Sequence, residues 1–117
     1  MIYYAGPTPA PPGYPVGSFG PTTSGRMDWL TPRLLDSGVI ATIGKGGRSQ
    51  EVKEAIKRNG AVYLCAVGGA GALYAACVRT CEEVAFPELG CESVKRLTVE
   101  DFPLIVGIDS RGETVIG

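Results

Sequence analysis

Two short segments combine glycine with hydroxyl and basic side chains in patterns that could do chemistry. The first runs Gly17-Ser18-Phe19-Gly20-Pro21-Thr22-Thr23-Ser24-Gly25-Arg26-Met27-Asp28. Three hydroxyl residues stand where a helix is expected to begin, with Arg26 just inside it. Unpaired backbone N–H groups at a helix start favour an anion, and a guanidinium grips a carboxylate through two parallel hydrogen bonds. The plainer alternative is that Thr or Ser caps the helix while Arg26 is solvated. The second segment is Gly44-Lys45-Gly46-Gly47-Arg48-Ser49, between an expected strand and an expected helix. That placement also suits an anion, and Lys45 and Arg48 strengthen it. Here the plainer alternative is a tight strand-to-helix turn.

Neither segment is a standard nucleotide motif. A Walker A loop needs Gly-Lys followed by Ser or Thr, and Lys45 is followed by Gly46. The dinucleotide fingerprint nearly appears, with Ser49 in place of its third glycine, but no Asp or Glu lies near position 64 to hold a ribose. A third glycine stretch, Gly68-Gly69-Ala70-Gly71, is apolar and suits close helix–sheet packing. Thr22, Thr23, Arg26 and Lys45 together suggest a site for a small polyanionic ligand. Physical reasoning on these residues names no reaction.

The rest of the composition narrows the chemistry. The chain of 117 residues contains no histidine, which removes Ser-His and Cys-His dyads, His-ligated zinc and imidazole acid–base catalysis. Proton transfer must then use a carboxylate, Lys, Tyr, Cys, an activated hydroxyl or a group from another chain. Four cysteines, Cys65, Cys77, Cys81 and Cys91, form no CxxC pair, so they read as reduced structural thiols and no metal site is expected in this chain. Cys65, within the apolar run from Ala61 to Val67, reads as a small buried hydrophobe. A net charge of -1 excludes a general nucleic-acid partner. Apolar runs of about seven residues fall far short of the roughly 20 that cross a bilayer. The start Met1-Ile2-Tyr3-Tyr4-Ala5-Gly6 lacks the basic and apolar regions of a signal peptide. These features predict a cytoplasmic protein with no membrane partner.

The elements that must position the two segments follow from the hydrophobic pattern. The length suits one domain, with 44 % hydrophobic and 20 % charged residues as in globular chains. Ile2 to Ala5 predicts a short strand. Six of the nine prolines lie within the first 21 residues, so this stretch is neither an internal helix nor a central strand. Its Tyr14, Val16 and Phe19 favour a functional or interface loop over a plain linker. Thr22-Thr23-Ser24 is expected to cap a helix through Met27, Trp29 and Leu30. Thr31-Pro32 reads as a second helix start, with Leu34 and Leu35 packing inward before Gly38 ends the segment. Val39 to Ile43 is a β-branched strand. Ser49 to Arg58 is an amphipathic helix with Val52, Ala55 and Ile56 on one face, closed by Asn59-Gly60. Ala61 to Val67 predicts a fully apolar strand, and Gly68-Gly69-Ala70-Gly71 opens a small-residue helix through Val78. Strands are expected at Glu83–Phe86, Val94–Val99 and Pro103–Asp109. Ser110-Arg111-Gly112 then turns into Thr114-Val115-Ile116 as a closing hairpin. The pattern predicts a mixed α/β fold with a partly parallel sheet and a β-rich second layer.

The run Gly20-Pro21-Thr22-Thr23-Ser24-Gly25-Arg26-Met27 resembles the signature of the C-terminal domain, or β subunit, of class I iron–sulfur fumarases and the related L-tartrate dehydratases. Other segments are similar to the same family in the same order: Tyr4-Ala5-Gly6-Pro7, Gly44-Lys45-Gly46, Val67-Gly68-Gly69-Ala70, Pro87-Glu88-Leu89-Gly90, and Phe102 to Val106 with Ile108-Asp109. The resemblance covers essentially the whole chain. It implies an α/β fold of three layers, a swivelling β/β/α domain with a mixed sheet, spanning residues 1–117 as one domain. It also implies a partner α subunit whose cysteines hold a [4Fe-4S] cluster, with no cluster ligand in this chain. The open iron of that cluster would bind a 2-hydroxy dicarboxylate, and this domain would close over it. By the same resemblance Thr22 is the hydroxyl proposed for proton transfer at the substrate carbon. Thr23 and Arg26 bind a substrate carboxylate, and Lys45 helps bind or polarise the substrate.

The resemblance also implies a further segment before Tyr4, with an Arg-Asp stretch whose arginine contacts substrate. The chain is therefore expected to be N-terminally abbreviated, with an open sheet edge for a partner or a second copy to cover. The leading expectation is a hydro-lyase β subunit that hydrates fumarate reversibly to malate and is inactive without its α subunit. The alternatives are an L-tartrate dehydratase β subunit, a stand-alone small-anion or nucleotide-binding module built on Gly44 to Ser49, and a structural remnant that oligomerises through its uncovered edge.

Overall fold

The computed structural model describes residues 1–5, 8–67 and 71–114, whose contacts separate into two compact units. The first comprises Met1–Tyr4, Pro21–Val67 and Leu104–Gly117. Its sheet is built from β1 (Ile2–Tyr3), β2 (Ala41–Gly44), β3 (Val62–Cys65) and β6 (Ile105–Ile108), in that spatial order. β1 and β3 run parallel to β2, while β6 returns antiparallel beside β3. Ile43 stands between Tyr3 and Leu64, and Gly44 pairs with Cys65.

The helices of this unit follow the expected punctuation. Helix α2 spans Gln50–Asn59, capped by the Ser49 hydroxyl, which accepts from the Val52 N–H at 3.3 Å. Gly60 ends it with φ of 61°, a left-handed conformation that glycine adopts without a Cβ penalty. Val52, Ala55 and Ile56 are fully buried on one face, the spacing a helix needs to present a stripe to a sheet. They join Leu35, Ala61, Tyr63 and Ile108 in the core, with Val39 and Cys65 packed against it. Cys65 is thus half-buried rather than enclosed. Helix α1 (Thr31–Asp36) starts with Pro32 in its first turn, where the missing N–H is harmless. At its end, Asp36 accepts from Arg58 Nε at 3.0 Å and from Asn59 Nδ2 at 2.7 Å, which ties α1 to the last turn of α2.

One expectation fails in this unit. The helix predicted from Thr22 through Leu30 is a single 3-10 turn, Ser24–Met27, and no hydroxyl of Thr23 caps it. Backbone pairing with the end of β2 holds Thr22 to Ser24 instead, and Trp29 is 77 % exposed in the turn that follows. Strand β2 also begins at Ala41, two residues later than its β-branched run suggests. The closing hairpin is seen as one bridge between Ile108 and Thr114, and Val115 and Ile116 lie outside the described residues.

The second unit comprises Ala5–Gly20 and Gly68–Pro103. Helix α3 (Gly71–Cys77) runs straight into β4 (Val78–Ala85), which pairs antiparallel with β5 (Val94–Val99). The strand expected only at Glu83–Phe86 is therefore longer and starts earlier, where β-branched Val78 takes over from the small helical residues. Phe86 has φ of 54° and turns the chain into a 3-10 segment, Pro87–Glu92. Tyr74 is buried, donates its hydroxyl to the Pro103 carbonyl at 2.8 Å and stacks on Phe102. Thr8 to Pro15 are exposed, and the residues that follow them pack. Val16 and Phe19 are buried, the Phe19 N–H donates to the Gly71 carbonyl, and Tyr14 is exposed. A Cβ on Gly71 would overlap the Ser18 hydroxyl and sit 3.1 Å from the Gly20 nitrogen, so this glycine lets the helix start approach the Ser18–Gly20 loop rather than a sheet. Gly68 to Ala70 lie outside the described residues.

Candidate functional site

The end of β2 assembles the site. The Thr22 N–H donates to the Tyr4 carbonyl at 2.8 Å, the Lys45 N–H to the Thr22 carbonyl at 3.3 Å, and the Ser24 N–H to the Lys45 carbonyl at 3.0 Å. Thr23 and Lys45 form a parallel bridge. These bonds make Thr22 to Ser24 a short extension of the sheet, lying beside Lys45. Ser24 is buried and seated on Gly44, where a Cβ would overlap its hydroxyl. Thr22, Thr23 and Lys45 are exposed, and so is Arg26 on the 3-10 turn that follows. All four belong to the first unit. Backbone pairing sets the main chain of Thr22 to Ser24 beside Lys45, although the two segments are far apart in sequence.

Beneath this surface lies a buried arginine. Arg48 has a fully buried side chain, and its Nε donates to Asp28 Oδ1 at 2.7 Å. One terminal nitrogen donates to Thr42 Oγ1 at 3.1 Å and the other to Thr31 Oγ1 at 2.9 Å. The guanidinium also lies over the rings of Tyr4, at 5.4 Å, and Tyr63, at 4.8 Å. Thr31 donates to the Met27 carbonyl at 2.8 Å, so its single proton is committed and Tyr4, 2.9 Å away, donates to it. Asp28 Oδ2 accepts the Ser49 N–H at 2.6 Å.

This arrangement corrects the reading of the second glycine loop. Arg48 does not face an external anion; it faces Asp28. The N–H of Ser49, at the end of the loop expected to suit an anion, is taken by the chain's own carboxylate. Helix dipole and guanidinium are both neutralised internally. Lys45 is the residue of that loop left for a ligand. Among the described residues neither Arg26 nor Lys45 has an ion-pair partner.

Nearby titratable groups are held neutral. Tyr63 donates to the Gly46 carbonyl at 2.8 Å and lies 3.0 Å from Ser24 Oγ, tying β3 to both site segments. Burial pushes its phenol up to about 12, with the Ser24 hydrogen bond pulling the other way. Burial also raises the Cys65 thiol. Neither group ionises near neutral pH, so neither serves as a ready base. Sequence reasoning missed Asp28, Tyr4, Thr31, Ser24 and Tyr63. Their roles arise from tertiary pairing, and a single sequence carries no signal for a partner twenty residues away.

The surface can therefore do one kind of chemistry well. Two cations, two hydroxyls and glycine backbone suit a small ligand with carboxylate groups. Among the described residues no group of three or more His, Cys, Asp or Glu side chains could hold a metal ion, and Cys65, Cys77 and Cys81 are free thiols.

A family model described as the fumarase C-terminus matches residues 1–116. The chain belongs to this family. It is 44 % identical over 113 residues to "Fumarate hydratase class I, aerobic" of Escherichia coli (strain K12), covering 95 % of this chain and 21 % of that protein. It is 45 % identical over 113 residues to "Fumarate hydratase 2" of Leishmania major, covering 95 % of this chain and 20 % of that protein. It is also 39 % identical over 121 residues to "Putative L(+)-tartrate dehydratase subunit beta" of Methanocaldococcus jannaschii, covering 98 % of this chain and 62 % of that protein. The chain thus spans about a fifth of the length of the fumarate hydratases it matches. The family resemblance seen in the Gly20 to Met27 run is borne out over the whole chain, as is the α/β class with a mixed sheet.

Proposed function

We propose that this fumarase C-terminal chain is the carboxylate-binding part of a hydro-lyase that hydrates fumarate reversibly to malate. One observation carries the reading. In a chain of this family, backbone pairing sets Thr22 and Thr23 beside Lys45, each of them exposed, with Arg26 exposed on the adjoining turn. Arg26 holds one carboxylate of the substrate by paired N–H bonds, with the Thr23 hydroxyl donating to the same group. Lys45 places a point charge toward the negative charge that develops as the second carboxylate takes on aci character. The Thr22 hydroxyl stands at the carbon that gains or loses a proton. A threonine hydroxyl is a poor acid and base alone, so a neighbouring charge must tune it.

The described side chains do not fit an iron–sulfur cluster, and the proposal assigns the [4Fe-4S] group, with its Lewis-acid chemistry, to a partner α subunit. The matching relative named as a "subunit beta" supports a separate partner and favours a second reading, tartrate dehydration. The nucleotide-binding alternative loses its anion position to Asp28. Among the described residues no helix is long and apolar enough to cross a membrane, and a cytoplasmic location is part of the proposal.

The test is anaerobic hydro-lyase activity of the chain, alone and assembled with a cluster-loaded α subunit, on fumarate and L-tartrate side by side. Turnover is expected only in the assembly, falling about 100-fold in Arg26→Ala with the melting temperature unchanged. A verified complex with no turnover of either acid would reject the hydro-lyase role. Turnover indifferent to Arg26→Ala would reject the site.

A further inference from the structure

We infer that Asp28 and Arg48 form a positioning pair that sets the Arg26 turn against the Lys45 loop. This inference rests on the reading of Thr22, Thr23, Arg26 and Lys45 as a carboxylate site. Asp28 closes the 3-10 turn, donating its N–H to the Gly25 carbonyl, and stands two residues after Arg26. Arg48 stands three residues after Lys45, across Gly46 and Gly47. Gly46 has φ of 86°, and a stretch of two glycines has little conformational preference of its own. Tyr63 holds the Gly46 carbonyl on one side of that loop, and Asp28 holds its far end. Asp28 Oδ1 takes Arg48, and Asp28 Oδ2 takes the Ser49 N–H. One carboxylate therefore joins the end of the hydroxyl-bearing turn to both residues that follow the lysine loop.

The fork of Arg48 carries the tie further, to Thr42 on β2 and Thr31 on α1. A lysine has no planar fork and cannot reach all three partners at once. Neither member of the pair is available to a ligand, since the Arg48 side chain is fully buried and the Asp28 side chain only 15 % exposed. They act through Arg26 and Lys45. A bidentate carboxylate grip and a hydroxyl aimed at one carbon both need sub-ångström placement, and a shift of about 1 Å can cost roughly 100-fold in rate. The Thr22–Lys45 backbone bonds involve neither the Asp28 nor the Arg48 side chain, so loss of the pair is expected to loosen the site rather than remove it.

The test uses Asp28→Asn and Arg48→Lys in the assembly with the α subunit, with kinetics expressed per folded enzyme. Each variant is expected to raise KM and lower kcat, reducing kcat/KM about 10-fold or more. Combination with Arg26→Ala is expected to cost less than the product of the single losses, because the pair works through that arginine. A purely structural role gives an unchanged KM, a kcat that tracks the folded fraction, and losses that multiply; that pattern overturns the inference. Failure of the underlying reading is distinguishable, because Arg26→Ala alone then leaves kcat/KM unchanged. A second measurement needs no turnover. In the full chain, amide exchange at Ser24 and Lys45 is expected to quicken about 10-fold in Asp28→Asn, with the Ala61 amide unaffected. Equal quickening at all three amides is global destabilisation and overturns the inference.

Discussion

Substituting Gly44 tests how closely the site is built around β2. Gly44 is buried and lies outside the positive-φ region, so alanine is compatible with its backbone. Reduced chain entropy alone would then stabilise the fold by about 0.4–1 kcal/mol. Space decides otherwise. The new Cβ would overlap Ser24 Oγ and lie 3.2 Å from Ser24 Cβ and 3.3 Å from Tyr4 Cδ2. Overpacking of this kind costs about 1–3 kcal/mol, so Gly44→Ala is expected to lose about 1–2 kcal/mol net. Relief requires the Ser24 hydroxyl to rotate off Tyr63 or Ser24 to lift, which would carry Thr22 and Thr23 away from Lys45. Ser24→Gly alone forfeits the contact with the Tyr63 hydroxyl and loosens the turn, costing about 1–2 kcal/mol. The double variant removes the overlap, so its cost is expected to fall about 1–2 kcal/mol short of the sum. Urea unfolding of the four proteins, with unchanged m-values, measures this coupling. Strict additivity, or a Gly44→Ala variant as stable as the parent, would refute the close-approach argument.

Two further outcomes follow from titration. The Tyr63 phenol rises from its ordinary value of 10 to about 12 in the folded chain, chiefly through burial. Above pH 10 the unfolded chain sheds a proton that the folded one keeps, so stability is expected to fall as pH rises from 10 towards 12. Tyr63→Phe should remove that part of the alkaline slope; an identical slope in the variant would show that other groups cause it. Asp36 is held below its ordinary value by hydrogen bonds from Asn59 first and Arg58 second. Its contribution is present above the unfolded carboxyl value and lost as pH falls through the folded one. The difference in melting temperature between wild type and Asp36→Asn is therefore expected at pH 7 and should vanish in acid. A difference that persists below the folded value would mean that shape, not charge, holds α1 to α2.

Much of the frame was legible because local signals agreed with tertiary ones. Ser49, the stripe Val52, Ala55 and Ile56, and Gly60 each specify α2 by a separate mechanism, and the helix falls within a residue of the expected bounds. Val94 to Val99 forms a strand with the expected ends. The start of the site resisted reading for a physical reason. Thr22-Thr23-Ser24 carries good capping residues, yet backbone pairing with Lys45 offers the same N–H groups better partners, so the helix shrinks to one turn. Arg48 misled for a related reason. A basic residue after a glycine loop has the pattern of an anion ligand, and nothing in the sequence shows that Asp28 reaches it first. The motif that marks the family was plain in sequence; the buried scaffold under it was not.

The exposure of the site bears on how it could work. Arg26 and Lys45 stand in water, where two unit charges 4 Å apart interact by only about 1 kcal/mol. At an effective dielectric of about 20, reached when water is excluded from the site, the same pair is worth about 4 kcal/mol. A carboxylate gripped by this surface alone would therefore be held weakly. Differential stabilisation of a more highly charged transition state would be weaker still. Proton transfer meets the same limit. Tyr63 stays neutral to about 12, burial raises Cys65, and Asp28 is committed to Arg48 and Ser49. Among the described residues, none of these three groups is left to draw off the Thr22 proton. On the proposed function both deficits have one remedy, an apposed surface that excludes water and brings a charged group to Thr22. The proposed partner subunit would then be part of the acid–base machinery as well as the carrier of the cluster. The consequence is measurable: Arg26→Ala should weaken dicarboxylate binding far more in the assembly than in the chain alone, and equal weakening in both would refute the argument from exposure.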